Sequence, residues 1–162
     1  MKRSIVKFGH DNIGDWVATL SCGHLQHVRH TPPFINRPWV TTEEGRKNKI
    51  GEVLNCVRCD KSELPENFVP YKKSPIFTEK SLPSGLKNDH STKVGVWGKI
   101  IVTEGKLQYR VSSLGTNTEL SPNILGIILP EVLHSVDTLD TVKFYIEFYK
   151  EPDYLTKKQH QE

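Results

Sequence analysis

The sequence predicts a mainly β protein built from two small modules, the first organised around cysteine and histidine and the second a sandwich or barrel of short strands. Three observations predict this. All three cysteines and four of the seven histidines fall before residue 60. A proline-punctuated stretch, Lys61 to Pro83, then carries four of the ten prolines and sustains neither a helical nor an alternating period. Beyond it the chain has no cysteine, and Val/Ile/Tyr-rich runs alternate with turn signals at a spacing of about ten residues.

A length of 162 residues with 25% charged and 36% hydrophobic positions suits this division and excludes an obviously disordered chain. No apolar stretch approaches the roughly 20 residues of a membrane span, and MKRSIVKFGHD passes from a short basic clip into polar residues without a signal-peptide core. A soluble, cytoplasmic protein without membrane contact is expected. The net charge of +3 is uneven: residues 1–75 carry 12 Lys/Arg against 8 Asp/Glu, and residues 76–162 carry 10 against 11.

Taken in order, DWVATLSCGHLQHVRHT reads as two short strands meeting at Cys22-Gly23-His24, where Gly23 is free to take the positive φ of a tight reversal. TPPFINRPWV reads as extended, and EEGRKNKIGEVL as one irregular or helical turn before Cys56. Module boundaries are expected at residues 1–65, with a linker over 66–75, a β-domain over 76–154 and a tail over 155–162. KVGVWGKIIVTEGKLQYRVSS reads as a hairpin about the turn Thr103-Glu104-Gly105-Lys106. NILGIILPEVLHSVD supplies a strand, a proline stop and a loop with His134. TVKFYIEFYKE supplies a last strand with Phe144, Ile146 and Phe148 on one face and Tyr145, Glu147 and Tyr149 on the other. A glycine-rich phosphate loop, a GxSxG elbow and an HExxH pair are all missing.

The spacing Cys22-x-His24 with Cys56-x-x-Cys59 offers three thiols and an imidazole, the two-plus-two set that suits tetrahedral zinc. An odd cysteine count beside histidines favours metal over disulfide in a reducing compartment. Such an ion would staple a domain whose apolar content is small, and a thiolate-rich set leaves no open position for catalysis. The fourth ligand is open between His24, favoured because a Cys-x-His pair at a turn converges without distorting a strand, and His27. His30 would share the strand face of His24. The plainer alternative is reduced cysteines with surface histidines. Arg29, Arg37, Arg46, Lys47, Lys49 and Arg58, with Trp16, Phe34 and Trp39, interleave charge and aromatic surface as a nucleic-acid contact does, although a net of +4 is a weak footprint.

The string GDWVATLSCGHLQHVRHTPPFINRPWV followed by EEGRKNKIGEVLNCVRC resembles a small bacterial family of unknown function over about residues 4–61. That likeness supports a metal site and implies no reaction. From about residue 75 to 151 the chain resembles the cupin-like domain found at the N-terminus of TehB-type tellurite-resistance methyltransferases, through Pro83, Gly85, Leu86, His90, Thr92, Lys93, Gly95, Trp97, Gly98, Gly105, Pro130 and His134. This second resemblance implies a double-stranded β-helix barrel. The methyltransferase domain has no counterpart in these residues, so methyl transfer is not expected here. Metal cupins place further histidines and a carboxylate where this chain has Ser91 to Val94 and Gly98, which leaves His90 and His134 with Lys93 nearby. A pocket of His90, Lys93, Trp97, His134 and Glu147 is therefore expected to take a small polar or anionic ligand.

The reading favours a non-enzyme: a structural zinc module joined to a ligand-binding barrel, tied through the resemblance to tellurite or oxyanion stress, and pairing as a homodimer through the barrel. The first alternative is a metal-dependent cupin oxygenase or isomerase on His90 and His134, with Glu147, holding a second metal in the barrel. The second is a nucleic-acid-binding regulator that uses the basic zinc module.

Overall fold

A computed structural model describes residues 1–28 and 37–153. The chain divides into two compact units, Met1–Pro65 and the remainder from Glu66. The first is a four-stranded antiparallel sheet of β1 (Lys2–His10), β2 (Trp16–Leu20), β3 (Leu25–His27) and β4 (Val53–Asn55), in the order β3-β2-β1-β4. β2 and β3 form the hairpin the sequence predicts, with Gly23 at φ +90° in its turn. Central β1 was not foreseen. Its polar start conceals two buried positions, Arg3 and Ile5, the latter set opposite Leu20, and its turn into β2 is closed by Asp11, whose Oδ1 accepts from the amides of Ile13 and Asp15.

α1 (Glu43–Lys49) forms where one irregular or helical turn was expected, and Thr42 caps it by accepting from the Gly45 amide at 3.0 Å. Glu43 and Glu44 in its first turn and Arg46, Lys47 and Lys49 in its last complement the helix dipole. Of the segment expected to be extended, Pro38–Thr41 instead forms a 3₁₀ turn, with proline at its start fixing φ. Residues 31–36 lie outside the described residues, as do Arg29, His30 and Phe34. A short helix, α2 (Val57–Asp60), follows β4 directly.

The second unit is a six-stranded antiparallel sheet containing β5 (Val69–Lys73), β6 (Phe77–Thr78), β7 (Trp97–Val111), β8 (Thr116–Leu120), β9 (Gly126–Ile128) and β10 (Ser135–Lys150), with a helical turn α3 (Ser84–Lys87). The main path runs β5-β10-β7-β8, with β6 on β10 and β9 on β7. The mainly β class therefore holds in both units. Two expectations are corrected. The segment 66–75 is not a free linker: β5 lies within it and pairs with Glu147 to Lys150 of β10, with Pro70 inside this edge strand. Thr103-Glu104-Gly105-Lys106 is not a turn: β7 runs unbroken through it. The register against β10 shifts there, from Val142↔Gly105 to Phe144↔Val102. Gly105 takes φ +76° at this bulge, and a Cβ at that position would lie 2.1 Å from the Thr141 carbonyl oxygen.

The extra residue moves burial from even to odd positions. Ile100 and Val102 are buried before the shift and Leu107, Tyr109 and Val111 after it, so one face of β7 stays on the core. Phe144 and Ile146 share that core as the alternation predicts. The predicted alternation fails at Tyr149, which is buried, where a second shift against β5 falls between Phe148 and Tyr149.

Candidate metal centre

The β2–β3 turn carries the first pair of donors. The Leu20 amide bonds the His24 carbonyl at 2.9 Å and the Gly23 amide bonds the Leu20 carbonyl at 2.8 Å, a closure tight enough to turn Cys22 and His24 to the same side. The second pair comes from the β4–α2 junction, where Cys56 caps the helix that contains Cys59. Because β4 pairs with β1 and β1 with β2, the sheet brings the two junctions together. The Cys22, His24, Cys56 and Cys59 donor atoms lie within 4.8 Å of one another, and all four residues are buried. His24 Nδ1 is 3.4 Å from the sulfurs of Cys22 and Cys56 and 3.7 Å from that of Cys59; the sulfurs of Cys22 and Cys56 are 3.8 Å apart. That sulfur separation is far beyond the roughly 2.05 Å of a disulfide, and all three cysteines are free. These four residues can hold a metal ion.

Electrostatics point the same way. Cys59 donates toward Cys22, which stabilises a thiolate on Cys22 and, with burial, pushes Cys59 up to about 12. Burial also raises Cys56. Three buried sulfurs alone therefore do not all ionise, whereas a bound cation would hold all three as thiolates. Arg3, itself buried, acts on Cys59 in the opposite sense. Sequence reading missed it, since Arg3 looks like part of a basic N-terminal clip and has no motif.

His27 lies elsewhere. It is half exposed and pairs through Nε2 with Asp11 Oδ2 at 3.0 Å. Among the described residues considered for nucleic acid, Arg46 lies over the Trp16 ring at 3.9 Å, and Lys49 lies over Trp39 at 5.3 Å while pairing with Glu52 at 2.8 Å. Lys47 pairs with Glu43 and Arg58 with Glu63.

In the second unit the structure brings His90 and His134 together. The two histidines exchange backbone bonds, His90 N to His134 O at 3.0 Å and His134 N to His90 O at 2.9 Å, and their rings are 4.3 Å apart. Each Nδ1 faces a carbonyl two residues back, Asn88 at 2.8 Å and Val132 at 2.9 Å. A carbonyl only accepts, so each Nδ1 carries the hydrogen. His134 is buried, and burial depresses its pKa. Tyr109 meets His134 edge-on at 5.9 Å, and Asp89 beside His90 accepts twice from Ser112 Oγ. Asp89 was overlooked because it follows no motif.

The other three residues expected in the pocket stand in different settings. Lys93 is exposed in a turn. Trp97 is wholly buried and packs as core. Glu147 stands opposite Lys99 and Lys73 at the far end of β10 from His134 and accepts from the Tyr149 hydroxyl. The alternating geometry of β10 turns Glu147 away from the face that Phe144 and Ile146 bury.

With this geometry in place, comparison with known proteins divides the chain the same way. Curated relatives are each named "Probable S-adenosyl-L-methionine-dependent methyltransferase TehB". The one from Haemophilus influenzae strain KW20/Rd is 31% identical and the one from strain 10810 is 30% identical, each over 102 residues and 59% of this chain. The chain spans 36% of the length of these relatives. The crystal structure of TehB from Haemophilus influenzae superposes with a TM-score of 0.50 at 29% identity, covering 59% of this chain and 36% of that one. A crystal structure of a protein from E. coli strain K12 shares the fold at a TM-score of 0.51 and 21% identity, over 56% of this chain and 88% of that one. Residues 6–63 match the family described as protein of unknown function DUF3565, and residues 72–146 match the TehB-like domain.

Proposed function

We propose that the chain is a non-enzymatic two-module protein in which zinc staples the first unit and the second is a cupin-like barrel domain that binds a small polar ligand at the His90–His134 pair. The observation that carries the zinc reading is the shape of the four-donor cluster. Zn–S bonds of about 2.3 Å and Zn–N bonds of about 2.05 Å at tetrahedral angles separate two sulfurs by about 3.8 Å and a sulfur from a nitrogen by about 3.6 Å. The corresponding distances here are 3.8 Å and 3.4 to 3.7 Å. Four protein donors fill the coordination sphere, so the ion serves the fold and not a reaction.

For the second unit, the bulges that turn β7 and β10 and the likeness to TehB support a cupin-like wall. Two Nδ1–H tautomers, with burial of His134 disfavouring its charged form, favour a ligand that donates hydrogen bonds over an anion. The same tautomers give the enzyme alternative its one specific support, because metal-bound histidines characteristically donate their other nitrogen to a carbonyl or carboxylate.

Metal analysis of the purified chain tests both readings. The proposal expects about one zinc per chain. Cys56→Ser should lose it together with the fold of the first unit; retention of both would overturn the structural-zinc reading. A second equivalent of iron, manganese or nickel, lost in His90→Ala, would replace the binding-domain reading with the enzyme.

A further inference from the structure

Among the described residues, Arg3 is the one side chain of fixed charge that is buried, at 5% exposure. Arginine is rarely buried unless an anion accompanies it. Strand alternation explains where it lies. On β1, Arg3 and Ile5 fall on the buried face and Lys2 is exposed. Arg3 stands opposite Leu54 of β4, and Cys56 follows two residues later in extended backbone, φ −99° and ψ 103°, which returns its side chain to the Leu54 side. The start of β1 is tied to the same junction: the Cys56 amide donates to the Met1 carbonyl at 2.7 Å, and Arg3 Nη2 lies 3.1 Å from Met1 Sδ. The charge of Arg3 acts at Cys59, where it favours the thiolate against burial.

A doubly charged ion held by Cys22, Cys56 and Cys59 as thiolates and by a neutral His24 leaves one net negative charge on a buried cluster. Such a charge is costly to bury without a counter-charge. We propose that Arg3 is a positioning residue of the metal centre: its guanidinium bonds no metal, but its charge balances that of the loaded cluster and so sets the affinity for zinc. This rests on the structural-zinc reading. A guanidinium stays charged whatever its five N–H groups bond, so its other contacts do not remove the effect.

The test uses the full chain loaded with zinc or with cobalt(II). Arg3→Met keeps the length of the side chain and removes its charge, whereas Arg3→Lys keeps a cation. In competition with a chelator, Arg3→Met should bind zinc roughly 10- to 100-fold more weakly, and Arg3→Lys should stay within a few-fold of the parent chain. In the cobalt(II) forms, the visible bands of tetrahedral cobalt should persist in all three chains. The sulfur-to-cobalt charge-transfer band should move to longer wavelength in Arg3→Met alone, because losing a nearby cation raises the energy of the sulfur electrons. Parent-like zinc affinity in Arg3→Met, an equal loss in Arg3→Lys, or an unmoved band would overturn the proposal and leave the zinc reading standing; a parent chain that binds neither ion would remove both. Were Arg3→Met to take up no metal at all, retention by Arg3→Lys would support the role of charge, and loss in both would overturn it.

Discussion

His24 and His27 stand three residues apart in one hairpin, yet only the first meets the sulfurs, because His24 closes the turn whereas His27 has entered β3 and pairs with Asp11. His24→Ala should therefore lose metal affinity by at least roughly a hundredfold in a competition titration, while His27→Ala keeps it within a few-fold. Equal losses would place the fourth donor wrongly. This choice was nearly legible in the sequence, since a Cys-x-His turn converges without help, whereas the contribution of Arg3 depends on a burial that no local pattern announces. A second residue-scale expectation concerns His134. Burial lowers its pKa in the folded state below the ordinary 6.5, so the unfolded chain binds this proton more tightly. Stability of the second unit should then be full above about pH 6.5 and decline as pH falls below it. His134→Gln should flatten that slope in urea unfolding measured between these conditions; an unchanged slope would remove His134 as its source.

Gly105 illustrates how an element can be misread when its residues are correctly noticed. A glycine with positive φ flanked by Glu and Lys serves equally in a hairpin turn and in a bulge, and the choice depends on what lies opposite. Here Thr141 and Val142 of β10 lie opposite, so the chain continues as one long strand. Gly105→Ala should cost about 2 kcal/mol or more, since it adds both a strained φ and a Cβ 2.1 Å from the Thr141 carbonyl oxygen. Gly115→Ala, with φ +62° but open space around it, isolates the backbone component and should cost less. Comparable losses in chemical unfolding would deny Gly105 its special packing. β5 was obscured for a related reason: Pro70, Lys72 and Lys73 read as linker composition, but proline and lysine are also what edge strands carry. The hairpin was legible from its turn chemistry at Gly23, and β9 and β10 from apolar alternation, whereas bulges and edges are settled by partners distant in sequence.

Each unit has its own core, and the two differ in what they bury. Around Trp97, Phe144, Ile100 and Leu107 the second unit buries large apolar side chains. The first buries fewer, among them Ile5, Val17, Leu20 and Val40, and places three cysteines and a histidine where further hydrophobic side chains would otherwise pack. A domain of this size is marginal on apolar burial alone, and a structural metal commonly makes up the difference, with apparent binding energies of about 10–16 kcal/mol in small zinc domains. Removing the metal should therefore unfold one unit and spare the other. Trp16 and Trp39 report on the first unit and buried Trp97 on the second, so replacing Trp16 and Trp39 by Phe leaves a chain whose fluorescence follows the second unit alone. Chelation of that chain should abolish the thermal transition of the first unit, followed as the loss of part of the far-ultraviolet circular dichroism change. The Trp97 transition should stay within a few degrees of its value with metal bound. Were the Trp97 transition to fall together with the other, the metal would be sustaining the whole chain and the two cores could not be independent.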